Sequence, residues 1–181
     1  MVRLVASDPF GEALPVDQAG LRIEVGDAGA LTWISPFAGQ EQAVSAALEA
    51  THGLRLSEPG RMLASGEARC LWFARGQALL CGPALAADLD GLAAVVDQSD
   101  GWVSLKICGE QHVDVLARLV PVDLRVSAFP SGAVVRSLVK HTGAMLVRTS
   151  EETVEIFVMR SFAKTLVGDL REASEGLALR G

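Results

Sequence analysis

The sequence predicts an α+β domain: a largely antiparallel sheet with packed helices, built from a duplicated strand–helix–hairpin–helix unit. Three observations carry this. Short alternations of apolar and polar residues recur along the 181-residue chain, the pattern of half-buried strands. Two stretches between them have helical spacing, and each is opened by a glycine. The two stretches also overlay: Gly39-Gln40-Glu41-Gln42-Ala43-Val44 resembles Gly109-Glu110-Gln111-His112-Val113 at an offset of about 70 residues, too long for a solenoid repeat. Two α+β segments alike by chance are the alternative.

The elements follow in order. Residues 1–20 have no clear period and several turn formers, and read as an irregular arm. Leu21 to Val25 alternates as a strand, Gly26-Asp27 is a turn signal, and Leu31 to Ile34 reads as the returning strand. After Ser35-Pro36, Gln40 to His52 has helical spacing, and Gly53 stands where helices end in the left-handed conformation. A hairpin is expected over Glu67 to Ala74 and Ala78 to Cys81, and Gly82-Pro83 opens a short helix through Leu89. In the second half Trp102 to Cys108 alternates Val103, Leu105 and Ile107 against Ser104 and Lys106. A helix follows with Val113, Leu116, Ala117 and Val120 on one face, stopped by Pro121. Ala133 to His141, Ala144 to Thr149 and Thr153 to Met159 read as strands. Ser161 is a candidate cap for a last helix whose face is Phe162, Leu166, Leu170 and Ala173. The division is therefore an arm over 1–20, one domain over 21–174 with pseudo-repeats at about 21–95 and 96–174, and a tail over 175–181. A single domain suits a chain of this length.

Composition narrows the function classes. Half the residues are hydrophobic and mean hydropathy is +0.32, high for a small domain, while the net charge is −6. The acidic excess, with no basic run, argues against a nucleic-acid partner. A membrane-spanning helix needs about 20 mostly apolar residues, and the longest candidate, Cys70 to Leu89, is broken by Arg75, Gly76, Gln77, Pro83 and Asp88. Met1 to Gly20 has no apolar core followed by a small-residue cleavage site, so the expected compartment is the cytoplasm. Cys70, Cys81 and Cys108 form no C-x-x-C and read as buried thiols. Alanine-rich bias explains part of the hydropathy. The remainder points to surface that another protein covers, or that allows a homodimer when the chain is isolated.

Catalytic motifs are sparse. Gly26-Asp27-Ala28-Gly29 lacks the spacing of a dinucleotide-binding loop, and neither a phosphate loop nor a G-x-S-x-G elbow occurs. His52, His112 and His141 are scattered. His112 and Asp114 stand two apart on a predicted helix and point to different sides, which does not make a metal site. His141, at a strand end beside a glycine turn, reads as a surface or interface residue. Arg136 and Lys140 share a strand face, and Arg148 and Arg160 stand at strand ends among apolar neighbours. Each needs carboxylate or carbonyl partners. Pairing with Glu155, Asp123 or another acid of this chain is the favoured reading, and an acidic patch on another subunit is the second. Trp102 and Phe129 are candidate interface anchors, with core burial equally open for Trp102. The candidate partner interface is thus Trp102, Phe129, His141, Arg148 and Arg160.

An ordered series of segments carries a resemblance. It comprises Asp97-Gln98-Ser99-Asp100-Gly101-Trp102-Val103, Gly109 with its helix to Leu119, Asp123-Leu124, Phe129-Pro130-Ser131-Gly132-Ala133, His141-Thr142, Arg148-Thr149 and Phe157 to Ala163. Together these resemble the gamma subunits of heterotetrameric sarcosine oxidases, most strongly at Arg148-Thr149 and Arg160-Ser161-Phe162-Ala163. Leu71-Trp72-Phe73 and Leu79-Leu80-Cys81-Gly82-Pro83 fit the family's tryptophan hairpin, while Ala74-Arg75-Gly76-Gln77 departs from its usual proline-containing turn.

The resemblance implies a fold related to the folate-binding domain of glycine-cleavage aminomethyltransferases. It implies partners, namely alpha, beta and delta chains, in a complex that oxidatively demethylates sarcosine to glycine with hydrogen peroxide. With tetrahydrofolate the one-carbon unit leaves as methylenetetrahydrofolate. FAD and FMN are then expected in beta, NAD and the folate site in alpha and zinc in delta. The gamma chain is expected to hold no cofactor, no metal and no catalytic residue. A stand-alone folate-binding or one-carbon-transfer protein of the same fold is the alternative function.

Overall fold

The computed structural model describes residues 7–18 and 20–179, so residues 1–6 of the expected arm and 180–181 of the expected tail lie outside the described residues. The alternating segments become strands: β1 (Val16–Gln18), β2 (Leu21–Val25), β3 (Ala30–Pro36), β4 (Met62–Ser65), β5 (Ala68–Ala74), β6 (Gln77–Gly82), β7 (Ala93–Asp97), β8 (Trp102–Cys108), β9 (Val134–Val139), β10 (Thr142–Ser150) and β11 (Thr153–Met159). The helices are α1 (Glu41–His52), α2 (His112–Ala117) and α3 (Ala163–Ala178). All strand pairs are antiparallel, in a six-stranded sheet ordered β1-β2-β8-β11-β10-β9 and a five-stranded sheet ordered β4-β5-β6-β3-β7.

The alternation divides each strand between two cores, giving four layers. Leu105 and Ile107 of β8 and Ile156 and Val158 of β11 pack under α2 and α3. Ile34, Cys70 and Leu80 of the other sheet pack under α1. The remaining faces meet between the sheets, where Leu31, Leu71, Leu79 and Cys81 oppose Val134, Met145, Val147 and Phe157. This buried middle layer makes central strands such as β11 buried on both faces.

The duplication is visible in the sheet order. In each half a strand (β3 or β8) leads to a helix (α1 or α2) and then to a three-stranded meander (β4-β5-β6 or β9-β10-β11) lying beside that strand. The preceding strands are exchanged: β2 runs into β3 but pairs with β8, and β7 runs into β8 but pairs with β3. The expected hairpin between Leu21–Val25 and Leu31–Ile34 is therefore corrected. Gly26 continues the β2 ladder by donating its N–H to the Ser104 carbonyl at 2.9 Å, and the chain then crosses to the other sheet.

Other differences have local causes. β4 lacks β-branched residues and β7 exposes Val95 and Val96 on a sheet edge, so neither shows a clear alternation. The expected helix after Gly82-Pro83 is an irregular segment that sinks Ala87 and Leu89 into the α1 core, with the Asp88 carboxylate accepting from the Asp90 N–H at 3.1 Å. The final helix is therefore absent from the first unit. The described part of the arm belongs to the fold: Phe10 and Val16 are buried, and β1 forms the sheet edge. Ser161 makes no capping bond, because Arg160–Phe162 is a 3-10 turn that leads into α3. α3 itself runs past 174, as far as Ala178, with Leu177 against the core. Gly53 does end α1 in the left-handed conformation, with φ +66°.

Candidate functional site

Polar side chains enter the interior at two places. Between the sheets, Arg69 of β5 forms an ion pair with the fully buried Glu155 of β11 and reaches the Asp27 carbonyl at 3.3 Å. Ser104 of β8 lies alongside, and both its hydroxyl and one Glu155 oxygen lack hydrogen-bond partners. A Cβ on Gly26 would collide with the Ser104 hydroxyl and stand 2.9 Å from Glu155 Oε1, so the crossover passes where a side chain cannot. A cleft of about 770 Å³ opens beside Arg69, with Glu24, Asp27 and Lys106 among its walls. Glu155 is committed to the guanidinium, an arrangement that holds two sheets together rather than one that moves protons.

The second place is under α2. Arg148, fully buried on β10, donates to the carbonyls of Leu124 and Glu151 (2.7 Å for the latter) and to Nε2 of His112 at 3.2 Å. Nε2 thus accepts, and Nδ1–H donates to the Gly109 carbonyl at 2.6 Å, which assigns the tautomer. Burial, with the neighbouring guanidinium, lowers the His112 pKa and keeps the ring neutral. The guanidinium also lies 5.8 Å from the centre of the buried Phe129 ring. This cluster ties the segment between α2 and β9 to the sheet.

The third feature is on the surface. Trp33 and Trp102 stand beside the β5–β6 hairpin on the side facing the other sheet, while Trp72 of β5 lines the cleft toward α1; each is half-buried. Phe73 stacks edge-on against Trp102 at 5.7 Å, and Arg136 of β9 lies 4.4 Å from the Phe73 ring centre. Trp33 Nε1 donates to the Gln77 side chain at 3.3 Å. A groove of about 440 Å³ opens between Trp33, Phe73, Val96, Trp102 and Met159, the last 52% exposed.

The structure divides the five candidate interface residues: Phe129 lies with Arg148, the Arg160 N–H donates to the Gly101 carbonyl beside Trp102 at 2.9 Å, and His141 stands apart. Phe129 and Arg148 are corrected: they stack on each other inside the fold and offer no outer surface. The two terminal nitrogens of Arg148 meet carbonyls and a histidine rather than Glu155 or Asp123, and its Nε has no partner; Glu155 is taken by Arg69 and Asp123 by Arg125. His141 is exposed in the β9–β10 turn. Arg160 is half-buried and donates to the Ser7 carbonyl at 2.6 Å, while Trp102 lines the groove. Lys140 pairs with Asp169 and Glu172 on α3. Sequence reasoning missed Trp33 and Phe73 as neighbours of Trp102, because β3 and β5 come beside β8 only through the packing of the two sheets. Among the described residues no three His, Cys, Asp or Glu side chains come together as a metal site. Nor is any described helix long and apolar enough to cross a membrane.

Comparison with known proteins follows from this architecture. Among solved structures, a chain of the heterotetrameric sarcosine oxidase from Corynebacterium sp. U-96, determined in complex with pyrrole 2-carboxylate, superposes with a TM-score of 0.79 at 21% identity. The match covers 94% of this chain and 95% of that one, so the two share the fold from end to end. Comparison with curated proteins finds no match. The model of the sarcosine oxidase, gamma subunit family matches residues 38–176, from the start of α1 through almost all of α3. With most of the chain so matched, and with the fold to accompany it, the chain belongs to the sarcosine oxidase, gamma subunit family.

Proposed function

We propose that this chain is the non-catalytic gamma subunit of a cytoplasmic heterotetrameric sarcosine oxidase. On this reading its partners are alpha, beta and delta chains that oxidatively demethylate sarcosine to glycine with hydrogen peroxide. With tetrahydrofolate present, they yield methylenetetrahydrofolate. The observation that carries the reading is the family match across both halves of the fold. The interior chemistry supports the non-catalytic part. Glu155 is held by Arg69, and His112 is held between the Gly109 carbonyl and Arg148, so these buried groups serve the fold. FAD, FMN, NAD, zinc and the folate site are assigned to the partner subunits, and the role of this chain is to bury surface against them and fix their arrangement.

The test compares turnover per bound flavin in complexes assembled with the wild-type chain and with His112→Gln or Arg69→Met. Unchanged kcat at reduced thermal stability is expected. Loss of kcat in a fully assembled complex overturns the non-catalytic role. Calorimetric titration of the isolated chain with tetrahydrofolate separates the alternative, a stand-alone folate-binding protein, and no heat is expected.

A further inference from the structure

We propose that the β5–β6 hairpin end, with Trp33, Trp102, Phe73, Arg75 and Arg136, is the surface that docks a partner subunit. We infer further that its occupant is an apolar protein segment flanked by carboxylates. The inference rests on the gamma-subunit reading and adds to it the place and chemistry of contact.

Four observations converge. Trp33, Phe73 and Trp102 meet on one side of the hairpin although the strands bearing them come from different parts of the sequence. Tryptophan and arginine are the residues most enriched where protein interfaces gain their affinity. The side chains are also already held in place. Trp33 is fixed by Gln77, and Phe73 contacts both Trp102 and the Arg136 guanidinium, so little side-chain freedom is lost on docking.

Two grooves adjoin the hairpin on its inner side: the one of about 440 Å³ by Trp33 and Trp102, and another of about 520 Å³ by Phe73 and Arg136. Their combined walls hold two charged residues, Arg75 and Arg136, and no carboxylate. Neither arginine forms an ion pair among the described residues. The cleft on the α1 side of the same hairpin, which Trp72 and Arg75 also line, carries Glu41 and Glu49, so the basic, aromatic surface is the side that faces β8 and β9. Its complement is an apolar segment carrying acids at its rim. A nucleic acid would need more phosphate-neutralising charge than two arginines in an otherwise acidic chain.

The experiment uses the tagged full chain co-expressed with its alpha, beta and delta partners. Arg75→Glu/Arg136→Glu, Arg75→Ala/Arg136→Ala and, on the opposite helical layer, Lys164→Glu are compared with wild type at several salt concentrations. Circular dichroism melts check that each variant is folded. The double reversal is expected to lose about tenfold or more of the co-purified flavin, the double alanine variant an intermediate amount and Lys164→Glu none. Retention by the double reversal equal to wild type overturns the surface while leaving the gamma-subunit reading intact. A wild-type chain that brings down no flavoprotein overturns both. Salt-sensitive binding of the wild-type chain to a single-stranded oligonucleotide, lost in the double reversal, overturns the protein occupant.

Discussion

The guanidinium of Arg69 on β5 meets the carboxylate of Glu155 on β11 across the interior, so that a charge pair ties the five-stranded sheet to the six-stranded one. Removing one member leaves the other charge buried without its counterion. Glu155→Leu and Arg69→Met are each expected to lower unfolding free energy by about 3 kcal/mol. The double variant Arg69→Met/Glu155→Leu should be less damaged than the sum of the singles. Urea denaturation in a double-mutant cycle checks this, and additive losses would show that the two side chains act independently.

The His112–Arg148 contact makes a pH-dependent contribution. Burial lowers the imidazole pKa in the folded chain below its ordinary value of 6.5. The unfolded chain therefore takes up the proton first as pH falls. Stability from this group is complete above about pH 6.5 and is lost as pH drops from there through the lowered folded value. Unfolding free energy measured at pH 7.5 and 5.0 should differ less in His112→Gln than in wild type. An unchanged difference assigns the pH dependence to other groups.

Arg148 itself answers three acceptors with one planar fork. Arg148→Lys is expected to lose nearly as much stability as Arg148→Met, about 3 kcal/mol, because one ammonium cannot reproduce that geometry. Hydrogen exchange should rise over residues 118–130, whose Leu124 carbonyl the side chain holds. Protection unchanged there would contradict the anchoring role.

Gly26 marks the crossover from one sheet to the other. Gly26→Ala places a methyl against Ser104 and Glu155 and is expected to cost about 1–3 kcal/mol. Ser104→Gly added to Gly26→Ala should recover part of that loss. Absence of recovery would place the constraint in the backbone instead.

The thiols should differ in reactivity. Burial raises the pKa of Cys70 and Cys81, both inside the fold, and also that of the partly exposed Cys108. A thiol reagent at pH 8 is expected to modify Cys108 slowly in the native chain and to reach the other two after unfolding. Rapid labelling of Cys70 or Cys81 would contradict their burial.

Much of the fold was legible locally. Val103, Leu105 and Ile107 alternate because one face of β8 lies under α2 and α3, and Gly39 and Gly109 both precede helices at positive φ. The partnering of strands was not legible. Leu21–Val25 and Leu31–Ile34 look like a hairpin because Gly26-Asp27 favours a turn, yet each strand fits better in a different sheet. The candidate site was legible residue by residue and not as a place. Trp102 reads from the sequence as a candidate anchor with core burial equally open, whereas its neighbours Phe73 and Trp33 come from the other sheet. Arg148 and Phe129 looked like surface anchors because nothing local reveals that Leu124 and Glu151 offer their carbonyls to a buried guanidinium. The high hydropathy is explained in part by a middle layer that makes strands apolar on both faces.

The most direct test of the gamma-subunit account is size-exclusion chromatography with light scattering on the tagged chain co-expressed with alpha, beta and delta partners, followed at 280 and about 450 nm, where flavins absorb. The account predicts one yellow peak containing this chain in equal proportion to the other three. A chain that elutes alone while the remaining subunits form an active flavoprotein without it would contradict the account.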